Sequence, residues 1–86
     1  MNGPRVKKPE EKTFVAGQNV GINVNDDFVI TGVDEGSLAE RQGVKEGWSV
    51  MEINNEPFSM QRLIQLQEGT DPFFIRFQVT LKILSI

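Results

Sequence analysis

Residues Phe73 to Ile83 alternate almost without a break, and this run constrains the fold more than any other stretch. Phe73, Ile75, Phe77, Val79, Leu81 and Ile83 take one set of positions, while Arg76, Gln78, Thr80 and Lys82 take the other, with Phe74 the exception. Side chains on a strand point to opposite faces with a period of two. The run therefore predicts a strand with one face in a core and the other toward water. It exceeds the usual strand length of about 5–6 residues, and a domain of 86 residues can hardly cover all of it. The surplus, Leu81 to Ile86, is expected to be a strand extension or tail that pairs with another element or another chain.

Shorter signals precede it. Residues 1–12 are polar, contain Pro4 and Pro9 and lack periodicity, which predicts a flexible basic leader. Thr13-Phe14-Val15-Ala16 reads as a short first strand. Val20, Ile22 and Val24 alternate and so share one strand face. Polar Asn25-Asp26-Asp27, followed at once by Phe28-Val29-Ile30-Thr31, reads as a tight hairpin. Ser37-Leu38-Ala39-Glu40 matches a capping box, in which the Ser37 hydroxyl accepts from the Glu40 amide and the Glu40 side chain accepts from the Ser37 amide. Gly43 would close that short helix in the left-handed conformation. Val50, Met51 and Ile53 form a mostly buried strand, and Asn54-Asn55 a turn whose residues tolerate positive φ.

A second helix is bounded by Ser59 as N-cap and Gly69 as C-cap, with Asp71-Pro72 as a stop. At 100° per residue, Met60 and Ile64 lie on one flank of its apolar stripe, and Ser59, Leu63 and Leu66 on the other. Such a helix either spans a core and a groove or carries one wide core stripe. Taken together, the pieces predict a mainly β fold with two short helices: a partly open barrel or sandwich of five to six strands capped by the helices.

Composition narrows the chemistry. The chain has no His and no Cys, which removes the usual general base, the thiol nucleophile, thiolate zinc sites and disulfides. Its net charge of -3 hides an asymmetry, because residues 1–12 carry four basic against two acidic side chains and residues 13–86 five against ten. An acidic body disfavours nucleic acid, where affinity comes largely from neutralising phosphates. The basic head is interspersed with acids, unlike the clusters that bind anionic membranes. No apolar run approaches the ~20 residues of a membrane span, and the first residues lack a signal-peptide core. A cytoplasmic module is the expectation, or equally a segment of a larger protein.

Asp26-Asp27 and Asp34-Glu35 are adjacent carboxylate pairs without calcium-loop spacing, and read as a hairpin tip and a turn before a helix. Ser37, Ser49, Ser59 and Ser85 have no His to activate them, and no S-x-x-K pattern occurs. The expectation is no enzyme, no catalytic residue, no cofactor and no metal.

Four fragments occur in an order that resembles the PDZ domain family, over about residues 13–80. Asn19-Val20-Gly21-Ile22 fits the family's x-Φ-G-Φ loop, and Gly36-Ser37-Leu38-Ala39 its first-helix opening. Gly43-Val44-Lys45-Glu46-Gly47-Trp48 fits its G-Φ-x-x-G-D turn with Trp48 for the acidic residue, and Ile53-Asn54-Asn55 fits its Φ-N-G turn. The resemblance implies a PDZ-like domain at 13–80 that binds the C-terminal, or an internal extended, peptide of a partner protein. The Val20, Gly21 and Ile22 amides would converge on the peptide carboxylate, a nest that needs no basic side chain. The peptide would add as a strand beside Asn23 and Val24. Ser59, Arg62, Leu63 and Leu66 would form the helix side of the groove. An apolar last ligand residue would enter a pocket lined by Val20, Ile22, Val24, Leu63 and Leu66; the alternative for these five is ordinary core, and the loop match favours the groove.

Three departures from the family pattern bear on binding. Many members carry Arg or Lys shortly before the loop, where Val15-Ala16-Gly17-Gln18 stands here. The start of the second helix often carries a His that reads a ligand Ser or Thr. Ser59 placed there argues against that ligand class, and Leu63 nearby points to an apolar ligand residue two before the end. Trp48 replaces an acidic residue and is either core or an exposed anchor. The alternative function is a structural or self-association domain, its groove empty or filled by the tail Leu81–Ile86 of a neighbouring copy. Any membrane contact is expected only through a partner.

Overall fold

The computed structural model describes the backbone of residues 5–82 and the side chains of residues 9–79. The chain order is β1 (Arg5–Phe14), β2 (Ile22–Val24), β3 (Ile30–Val33), α1 (Leu38–Arg41), β4 (Ser49–Ile53), β5 (Glu56–Pro57), α2 (Met60–Gln67) and β6 (Phe73–Lys82). The domain is mainly β, with six strands in two sheets, two helices and no closed barrel among the described residues.

β6 is the organising strand. Phe73, Ile75, Phe77 and Val79 are buried while Phe74, Arg76 and Gln78 are half-buried, the alternation expected of a strand with one covered face. It lies inside the four-stranded sheet β1-β6-β4-β5. Its surplus length pairs within the same chain, as Leu81 faces Val6 and Lys82 faces Arg5 in the antiparallel ladder with β1. Residues 83–86, the rest of the expected tail, lie outside the described residues.

β1 overturns the flexible leader for residues 5–12. All ten of its residues pair with β6, from Arg5 opposite Lys82 to Phe14 opposite Phe73. Two local causes make a strand of a segment without alternation. Phe14 is buried with its ring 6.1 Å from that of Phe73, anchoring one end. Farther along, Arg76 of β6 ion-pairs with Glu52 of β4 at 2.8 Å and with Glu11 of β1 at 3.6 Å, and in register Arg76 stands opposite both. Opposite charges directly across a ladder stabilise the pairing. Pro9 is tolerated because β1 is an edge strand.

β2 and β3 form a separate two-stranded sheet with an irregularity between Asn23 and Val24. It joins the larger sheet through backbone bonds from Ile30 N to Trp48 O and from Val50 N to Phe28 O, both 2.8 Å. The hairpin is shorter than expected, because Phe28 adopts φ 60° and belongs to the turn. Asn25 closes that turn, its Oδ1 accepting from the Asp27 and Val29 amides.

The core gathers residues of every layer, among them Phe14, Val20, Ile30, Ala39, Val50, Ile53, Leu63, Ile75 and Phe77. Trp48 packs half-buried against it, edge-on to Phe77 at 5.6 Å, so its role is packing. Three turn expectations hold: Gly43 at φ 82°, Asn54 at φ 50° and Asn55 at φ 66°. At α1 the Glu40 amide donates to Ser37 Oγ as expected, but the Glu40 carboxylate accepts from Gly36 N instead of Ser37 N. The Ser37 amide donates to the Asp34 carbonyl and is unavailable. α2 ends on Glu68 rather than Gly69, whose φ is not left-handed.

Candidate functional site

The segment Gly17–Ile22 owes its shape to the elements on either side. The Val20 carbonyl accepts from Ala39 N at 2.9 Å, and the Gly21 carbonyl from Asp34 N at 2.8 Å. In a trans peptide the C=O and the following N–H point in opposite directions. The Gly21 and Ile22 amides are therefore turned away from α1 and the turn that precedes it. Gly21 itself has φ 87°, and a Cβ there would stand 2.2 Å from Ser37 Cβ. Only glycine lets the loop pass so close to α1 in that conformation.

The other end of the loop is fastened to α2 by one residue. Gly17 N donates to the Gln67 carbonyl at 2.8 Å, and Val20 N donates to Gln67 Oε1, also at 2.8 Å. An open cavity of about 490 Å³ lies here, lined by Gly17, Gln18, Asn19, Ile64, Gln67 and Glu68. It holds an acidic side chain and no basic one.

The residues expected to form a peptide site divide into three groups. Val20, Ile22 and Leu63 are buried in the core, with Val24 and Leu66 packed half-buried against it. The structure thus brings the five pocket residues together, but as packing; Val20 is 0 % and Leu63 2 % exposed. Asn19 is exposed in the cavity wall, Gly21 is held against Ser37, and Asn23 is exposed, with Nδ2 3.3 Å from Asp34 Oδ1. Ser59 caps α2, accepting from Arg62 N at 3.1 Å, and Arg62 turns to Glu56 of β5 at 3.3 Å.

The α2 flank that faces the loop is the one carrying Ile64 and Gln67, with Met60 one turn before Ile64. Met60 and Ile64 are 38 % and 47 % exposed although apolar. The sequence separates these two flanks; Leu63 and Leu66, expected on the groove side, pack into or against the core, and no sequence signal singled out Gln67. The exposed edge of the site is β2, which pairs with β3 on one side and with no strand on the other among the described residues.

A model of the PDZ domain family matches residues 5–84, nearly the whole chain, and the chain belongs to that family. No curated protein and no solved structure is similar enough to count as a match. As a PDZ domain it is a protein–protein interaction module, of a family that binds peptides of partner proteins. None of its described helices is long and apolar enough to cross a membrane, and no group of three metal-ligating side chains occurs among the described residues.

Proposed function

We propose that this domain binds an extended peptide of a partner protein, C-terminal or internal, as a strand added to β2 alongside α2. The unpaired edge of β2 carries the reading, since an exposed edge is a template for another chain. Two features support it. The Gly21 and Ile22 amides, turned from α1, leave donors for the terminal carboxylate at the head of the strand. The apolar side chains that an alternating peptide would present meet Met60 and Ile64, which are otherwise exposed to water. This keeps the preference for apolar ligand residues and moves the contact from Leu63 and Leu66 to the neighbouring flank.

The test is an NMR titration of the whole chain with pooled pentapeptides bearing Val, Ile or Leu at the last and third-from-last positions. Shifts are expected at residues 20–24 and at Met60, Ile64 and Gln67, with dissociation constants in the micromolar range or weaker because so short a peptide must be ordered. Shifts confined to other surfaces, or none at millimolar peptide, would overturn the proposal.

A further inference from the structure

The Val20 amide is one of three donors that a terminal carboxylate would need at this loop, and it is already taken. Gln67 Oε1 accepts from it at 2.8 Å, and the Gln67 carbonyl holds Gly17 N at the same distance. The side-chain oxygen thus stands where an oxygen of the peptide carboxylate would be received. The Gln67 backbone fixes the loop at the distance that makes this contact. The cavity wall adds Glu68 and no cation, so nothing there offsets the charge of a carboxylate.

We infer that Gln67 sets how strongly this groove distinguishes a chain terminus from an internal segment. The inference rests on the peptide-binding reading above. A free carboxylate must displace Gln67 Oε1 to reach Val20 N, and the lost hydrogen bond offsets part of what the charged acceptor gains. An internal or amidated segment that leaves the Val20 amide alone incurs no such loss. The domain therefore binds free-acid and amidated peptides with similar affinity, and removing the carboxamide restores preference for the terminus.

Two variants test this. Gln67→Met removes the acceptor while keeping the length, helix propensity and backbone of the residue. Gln67→Glu keeps an acceptor and adds a charge. In the free protein, the Val20 amide should exchange slowly with solvent in the parent chain and in Q67E, and at least about tenfold faster in Q67M. Unchanged exchange in Q67M would overturn the cap without any peptide. With the pentapeptide pool as free acids and as amides, the acid-to-amide affinity ratio should rise about five- to tenfold in Q67M, the worth of one neutral hydrogen bond. In Q67E it should fall below that of the parent. Peptides that bind with the same ratio in all three chains would overturn the inference alone. Failure of every peptide to bind every chain would overturn the groove reading with it.

Discussion

The two antiparallel pairings of this domain differ in every respect that matters. β1 and β6 run side by side over ten register pairs without a break. β2 and β3 share three pairs interrupted by an irregularity. The long pairing belongs to a four-stranded sheet in which β6 has neighbours on both sides, and its inward face carries three of the most deeply buried side chains, Phe73, Ile75 and Phe77. The short one leaves the outer edge of β2 without a strand among the described residues. Stability is thus concentrated in the larger sheet, while the smaller one sets an open edge next to the loop of residues 17–22. A small domain with little redundant core gains from this division, because the edge of β2 can stay open without the fold depending on it.

The largest effect should come from the strong side of that contrast. Phe77→Ala empties a fully buried position against Trp48 and should cost about 3–5 kcal/mol, enough to remove the cooperative unfolding transition in a urea titration. A loss below about 1 kcal/mol would break the claim that the four-stranded sheet carries the fold.

Gly21→Ala strikes where the two sides meet. It combines a left-handed φ with a Cβ 2.2 Å from Ser37 Cβ and should cost about 2–4 kcal/mol. Adding Ser37→Gly should recover the overlap but not the backbone strain. Full recovery by the second change would mean that φ is not constrained there.

Smaller changes sharpen the comparison. Ser59→Ala removes the acceptor for Arg62 N at the start of α2 and should lower stability by about 1 kcal/mol. Arg76→Gln breaks the pairs to Glu52 and Glu11, which are exposed enough that only about 0.5 kcal/mol is expected. Its cost should shrink further in molar salt. A salt-independent loss would show that shape, not charge, aligns β1 with β6.

How much of this could be read in the chain follows the same division. β6 announces itself because burial on one face leaves an alternating record from Phe73 to Val79. β1 leaves none over Arg5 to Lys12, since an edge strand made of Lys, Glu and Pro takes its conformation from the ladder it joins. The loop glycine and the capping serines were legible because each answers a local demand of the backbone. The candidate site was legible only in outline. A helical wheel separates Met60 and Ile64 from Leu63, but which flank reaches the core depends on how α2 is set against the sheets. The contact between Val20 N and Gln67 joins residues 47 apart in sequence, and no local pattern announces it.

The register of the long ladder has a consequence for how such a domain is joined to others. Arg5 and Lys82 are opposite each other, so the chain enters and leaves the fold through neighbouring doors. A unit wired in this way can be spliced into a turn of a host protein without prying the host apart. Tension applied across the two ends would unzip β1 from β6 one pair at a time instead of shearing the whole ladder at once.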